Sequence, residues 1–195
     1  TWTEEMRTEA LSWLEFGDDP KVLDVGCGTG FGTEGLLEHA DDVHGLDQSV
    51  HQMEKAFEKF GKHDRVNFYR GDAERLPFTD DTFDVVVSNG VINLSSEKDR
   101  VFAEASRVLR DGGYLAVSDI ISEKAMPASI KTDADLWAAC IGGAMQIDRY
   151  TDVVETAGFT VSEVRENTEY EFISDQAANA CQKYGVKSIS LGART

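Results

Sequence analysis

Residues 22–30 read Val22-Leu23-Asp24-Val25-Gly26-Cys27-Gly28-Thr29-Gly30, and this stretch decides the fold. Val22 to Val25 are short, apolar and partly β-branched, the composition of a strand covered on both faces. Three glycines at alternate positions follow, and a helix can begin at about Phe31 to Thr33. Removing Cβ at alternate positions permits positive φ and lets backbone approach a ligand closely. A strand that ends in such a loop and feeds a helix makes a nucleotide-type pocket at the carboxyl edge of a parallel sheet.

Spacing and charge narrow the ligand. A dinucleotide fingerprint needs G-x-G-x-x-G directly after the strand, so that pyrophosphate rests on the helix N-terminus. Counted from Gly26 the pattern fails at Phe31, and the matching run Gly30-Phe31-Gly32-Thr33-Glu34-Gly35 starts too far past the strand. Asp24, at the strand end, would repel pyrophosphate; it suits an ammonium group or, through bridging water, a zwitterion. S-adenosylmethionine (SAM) carries a sulfonium, an ammonium and a carboxylate, and no phosphate. The pattern D-x-G-C-G-T-G at Asp24–Gly30 resembles the SAM-binding loop of class I methyltransferases.

Positions further along fit the same reading. The segment Asp42 to Asp47 ends in an acid 21 residues after Gly26, where ribose hydroxyls are gripped by charge-assisted hydrogen bonds. A third strand over 66–70 leads into Gly71-Asp72-Ala73, and a fourth, from Phe83, ends in Ser88-Asn89-Gly90. Taken alone, Asp47 or Asp72 is as easily a turn-former or helix cap. Their order and spacing behind the glycine loop carry the argument. The resemblance implies cofactor contacts from Asp24, Gly26, Cys27, Gly28, Gly30, Asp47, Gln48, Asp72, Ala73 and Asn89. Within that set Asp72 would accept from the adenine amino group, and Ala73 would offer a backbone N–H. S-adenosyl-L-homocysteine is the implied product.

Strands alternate with helices along the chain. The periodicities predict a helix over Trp2 to Phe16, strand 21–25, helix 32–40, strand 43–47, helix 49–60 and strand 66–70. Strand 83–88, helix 96–109, a turn at Asp111-Gly112-Gly113 and strand 114–121 follow. Beyond them come helices 128–145 and 150–157, strand Phe159 to Arg165, helix 174–184 and strand Val186 to Leu191. Such alternation requires right-handed crossovers and a mostly parallel sheet with helices on both faces. The expected architecture is α/β, a single Rossmann-like class I methyltransferase domain over 1–195. It divides into an N-terminal helix (1–17), a cofactor-binding core (18–122) and acceptor-side helices with the last strands (123–195). The resemblance implies seven strands, the last antiparallel and inserted beside the fifth.

Composition bounds the partners. The 195 residues suffice for one well-buried core, and a formal net charge of −17 argues against nucleic acid or an anionic membrane as the substrate surface. No apolar run approaches the roughly 20 residues of a membrane span, and the first residues carry no signal-peptide pattern. Cys27, Cys140 and Cys181 are too few and too separated for a disulfide scaffold, so a cytoplasmic setting is expected. His39, His44, His51 and His63 are scattered among polar neighbours, read as solvated, and show no metal-ligand spacing.

The second half carries a narrower resemblance. Ser88 to Ser95, Lys98 to Phe102, Arg107 to Gly113, Ser118-Asp119-Ile120, Cys140-Ile141-Gly142-Gly143-Ala144 and Cys181 to Val186 resemble arsenite methyltransferases. In that family cysteine thiolates hold trivalent arsenic while its lone pair attacks the methyl group. Soft arsenic matches soft sulfur by the preference that governs thiophilic metals. Carried over by position, Cys140 and Cys181 are the arsenic-binding thiolates; Cys27 belongs to the cofactor loop. Thr33 stands where family members typically carry a further cysteine. Read without the resemblance, Cys140 between Ala139 and Ile141 is a small buried hydrophobe. Three functions follow: methyl transfer to arsenite, C- or O-methylation of a small molecule such as a quinone precursor, or SAM binding without turnover. The acceptor is in each case small, with no nucleic acid and no membrane as partner.

Overall fold

The computed structural model describes residues 11, 14, 17–138, 140–170 and 175–195. The helix expected over 2–16 lies outside them, apart from Leu11 and Leu14, both buried.

Strand β1 (Lys21–Val25) runs through the middle of the sheet, and only Lys21 of its five residues is incompletely buried. It is followed by α1 (Phe31–Leu36), β2 (Asp42–Asp47), α2 (Val50–Phe60), β3 (Val66–Arg70) and β4 (Phe83–Asn89). A short 3₁₀ turn (Ile92–Leu94) leads to α3 (Lys98–Val108) and the long β5 (Leu109–Ser122). Then come α4 (Ala128–Lys131), α5 (Ala134–Ala138), β6 (Met145–Gln146), α6 (Ile147–Thr156), β7 (Thr160–Glu166), α7 (Asp175–Tyr184) and β8 (Lys187–Arg194). The order across the sheet is β3-β2-β1-β4-β5-β8-β7, with β6 paired to β5. Strands β1 to β5 pair in parallel, and β8 runs antiparallel between β5 and β7, the insertion expected of the last strand. The two-residue β6 is the eighth strand, absent from the seven that were expected.

Strand alternation sorts the core into two layers. Val22, Val85 and Ala116 join Leu36 and Val43 on one face. Their neighbours Leu23, Val86, Leu115 and Val117 point the other way, against Val101, Phe102, Val108, Tyr150 and Val154. Phe102 and Ala105 on α3, like Tyr150 and Val154 on α6, follow helical spacing, which is why both helices lie on that face. A third cluster caps the sheet's end, where Ile120, Met126, Leu136, Ile141, Ala177 and Val186 meet.

Three expectations change. The helix expected over 128–145 breaks into α4, α5 and a turn, with Cys140 held at φ 61° in the left-handed region. Gly143 turns there because its Cα packs on the Asn93 carbonyl, leaving no room for a side chain. The turn at Asp111–Gly113 is an irregularity inside β5: pairing jumps from Phe83 with Leu109 to Val85 with Tyr114, and Gly112 takes φ 75°. His44 is buried, its ring stacked 5.5 Å from Tyr69 and edge-on to Phe78 and Phe83, so it belongs to the core. Burial holds its pKa below the usual histidine range, despite the opposing Asp42. No described helix is long and apolar enough to cross a membrane.

Candidate active site

At the carboxyl ends of β1 to β3 lies a cleft of about 480 Å³. Six of the ten residues chosen for the cofactor line it: Gly26, Gly28, Asp47, Gln48, Asp72 and Ala73. Asp47 also shapes it. Its Oδ2 accepts from the Gly28 N–H at 2.9 Å, and its Oδ1 from the Ser49 N–H at 2.8 Å. Gly26 and Cys27 donate to the Leu46 carbonyl at 2.7 and 3.0 Å, so the glycine loop is laced to β2. Each carboxylate oxygen of Asp47 keeps a lone pair for hydroxyl donors in the cleft. Gly28, at φ 55°, has open space where a side chain would stand.

The Asp72 wall is held by bonds among the lining residues themselves. Asp72 Oδ1 accepts from the Glu74 N–H at 2.9 Å, and Gly71 donates to the Asp47 carbonyl. The loop beyond is tied to α3 by Arg107, whose guanidinium donates to the Leu76 and Phe78 carbonyls and chelates Glu104. Glu104 in turn accepts from the Leu76 N–H at 2.8 Å. The Arg107 hydrogen bonds hold the Glu104 carboxyl below its ordinary range.

The four remaining residues sit elsewhere. Cys27 is buried with its sulfur 3.9 Å from the Met53 sulfur, behind the loop. Gly30 takes φ 81° and packs on the Phe60 ring. Asp24 and Asn89 line a separate, smaller cavity of about 50 Å³, together with Leu11, Gly32, Ser88 and Ser118. Asp24 Oδ2 accepts from the Thr33 hydroxyl at 2.7 Å, which gives Thr33 a structural task of its own. Burial, reinforced by Asp47, raises the Asp24 carboxyl to about 6 against the pull of Thr33. Val91 lines the large cleft, and its side chain lies against Gly26 so closely that a methyl there would overlap three of its carbons. Sequence reasoning passed over Val91, Leu94, Ser95 and Ser96, which also line the cleft. Only their position just past β4 could have signalled them.

Both candidate thiols lie at the cluster that caps the sheet. The Cys140 S–H donates to the Gly90 carbonyl at 3.1 Å, in the loop that follows β4. Cys140, Cys181 and Tyr170 all pack against the cluster that caps the sheet. Burial pushes the Cys140 thiol up to about 12, with Asp119 adding to the shift, and burial also raises Cys181. Both are therefore protonated near neutral pH. Among the described residues no group of three His, Cys, Asp or Glu side chains is placed to hold a metal ion.

The electrostatics of the cleft decide what it can take. Asp47, Asp72 and Glu74 line it, and none of its described lining residues is Lys or Arg. A diphosphate would meet uncompensated repulsion there, whereas a cationic sulfonium nucleoside is attracted. This strand order, with a cleft beyond a glycine loop, is that of the class I SAM-dependent methyltransferase fold. A family model described as a methyltransferase domain matches residues 17–158, and the chain belongs to that family.

Among curated relatives, an arsenite methyltransferase of Halobacterium salinarum is 38% identical over 164 residues, 81% of this chain and 42% of its own length. A 2-methyl-6-phytyl-1,4-hydroquinone methyltransferase of Oryza sativa subsp. japonica is 49% identical over 115 residues, 57% of this chain and 34% of its own. Among solved structures, an arsenic(III) SAM methyltransferase from Chlamydomonas reinhardtii superposes with TM-score 0.74 at 26% identity, covering 93% of this chain and 65% of that one. The chain thus spans less than half the length of these two curated relatives.

Proposed function

We propose that the chain binds SAM in the acidic cleft and methylates trivalent arsenic held by Cys140 and Cys181. The observation that carries this reading is the placement of the two cysteines against one apolar cluster. The Cys140 thiol rests on Gly90, one residue from the cleft-lining Val91, and Cys181 packs on the same cluster. Asp47 grips the ribose hydroxyls, and Asp72 and Ala73 hold the adenine edge, while Asp24 and Asn89 line the separate cavity and take no part in this reading. Bound there, SAM supplies a methyl group on a sulfonium, already activated for displacement by a soft lone pair.

The residues need only load and orient the acceptor. Arsenous acid condenses with two thiols, forming two As–S bonds as two As–OH bonds break. Each S–H proton leaves with a hydroxide as water, so high thiol pKa values do not obstruct loading.

A second reading, C-methylation of a hydroquinone precursor, is favoured by the 49% identity to the rice enzyme over 115 residues. The test offers arsenite, with a thiol reductant, and a methyl-phytyl-type hydroquinone as rival acceptors. The reading expects methylated arsenic from the wild type and at least a hundredfold less from Cys140→Ser/Cys181→Ser. Arsenite turnover surviving in that variant, or methylation of the hydroquinone alone, overturns it.

A further inference from the structure

In a chain with 36 acidic and 19 basic residues, a pocket walled by cations is unexpected. One exists beside the cofactor cleft. It has a volume of about 280 Å³ and is lined by Lys98 from α3, Lys131 from α4 and Arg149 from α6, while Ser95 and Ser96 face both it and the cleft. None of its described lining residues is Asp or Glu.

The three cations differ in how their charge is met. Lys98 is 6% exposed, donates to the Ser95 carbonyl at 2.8 Å and has Asp119 within electrostatic reach. Asp119 itself lies behind the pocket wall, held by the N–H groups of Asn93 and Ile120 at 3.0 and 2.9 Å. Lys131 and Arg149 are exposed, and neither forms an ion pair with a described residue. Lys131 also stands close enough to Lys98 for the like charges to oppose each other. Some cations elsewhere are paired, as Lys187 is with Glu123 and Glu166 and Arg107 with Asp80 and Glu104. Here two unpaired cations flank a concavity that also holds Ser96, while the Ser95 hydroxyl is donated to Glu74 at 2.6 Å.

We propose that this pocket binds a small dianionic oxyanion of the phosphate class, the Arg149 fork and the two ammonium groups surrounding it. The volume admits a phosphate ester of a small alcohol as well as free phosphate. The site adjoins the cleft at Ser95 and Ser96, and the proposal does not depend on which acceptor is methylated.

Calorimetric titration of the whole chain at constant ionic strength tests it, with inorganic phosphate and glycerol 3-phosphate as probes. Saturable binding of one equivalent is expected. The exposed pair Lys131→Gln/Arg149→Gln should weaken it at least tenfold, with unchanged thermal unfolding in the absence of phosphate. Arg110→Gln, a cation paired with Asp84 near the start of β5, should leave phosphate affinity unchanged. Tighter binding of glycerol 3-phosphate assigns the site to a phosphorylated small molecule, and equal affinity assigns it to free phosphate. Non-saturable uptake, or full affinity in the double variant, overturns the proposal.

Discussion

Replacing Asp47 with alanine separates the two tasks given to that carboxylate. In the protein alone it accepts two backbone N–H groups, from Gly28 and Ser49, at 2.9 and 2.8 Å. Both are partly exposed, so water can replace the acceptor, and the cost to stability is about 1 kcal/mol. With ligand bound, the variant also loses charge-assisted hydrogen bonds to the ribose, a loss of about 1.5–3 kcal/mol. At 25 °C that raises Kd about 12- to 160-fold. Asp47→Asn, which keeps one oxygen acceptor, should fall between. Calorimetry with S-adenosyl-L-homocysteine, paired with urea unfolding of ligand-free protein, reads both quantities. A Kd within about twofold of wild type would refute the ribose assignment, since no hydrogen bond to a carboxylate is that weak.

Gly26→Ala meets two costs at once. A residue with Cβ at φ 77° loses about 1–2 kcal/mol, and overlap with Val91 adds about 1–3 kcal/mol. Urea unfolding should show both costs, and a Val91→Ala partner change, which removes both Cγ atoms and keeps Cβ, should recover only part of the second; a loss under about 1 kcal/mol counts against the packing described. Asp24 predicts a pH effect. Its folded pKa of about 6 exceeds the ordinary 3.8, so the folded state binds more protons in between. Its contribution is complete below the unfolded pKa and disappears as pH rises through the folded one, a loss of up to about 3 kcal/mol. Stability against pH should therefore fall less across that window in Asp24→Asn, and parallel curves would contradict the burial argument. Arg107→Gln should release the loop around Leu76 and Phe78, costing about 1–3 kcal/mol and weakening cofactor binding without touching the cleft. Hydrogen exchange that leaves residues 71–78 as protected as in wild type would count against that coupling.

The glycine loop and its strand were legible because one short stretch holds the buried apolar run, the positive-φ positions and the acid. Asp47 was legible through its spacing behind Gly26, and Asp72 through the family resemblance, since parallel strands bring their carboxyl ends to one edge. The cleft's partition was not. Val91 against Gly26 is a contact between loops that no local pattern encodes, and it leaves Asp24 and Asn89 facing a different cavity. The broken helix at 128–145 failed for a related reason. Its residues have helical periodicity, but Gly143 must pass against the Asn93 backbone and Cys140 turns left-handed. His44 looked polar by its neighbours in sequence, whereas its neighbours in space are Tyr69, Phe78 and Phe83. Arg107 drew attention only as part of a family-like block, because its bonds run to carbonyls about 30 residues away.

The most direct measurement follows an isotopically labelled methyl group from SAM by mass spectrometry, with arsenite and the hydroquinone present together. Label should arrive on arsenic, and should vanish from it when Cys140 and Cys181 are both serine. Label appearing on the hydroquinone and never on arsenic, from protein shown to bind SAM, would contradict the acceptor assigned to this site.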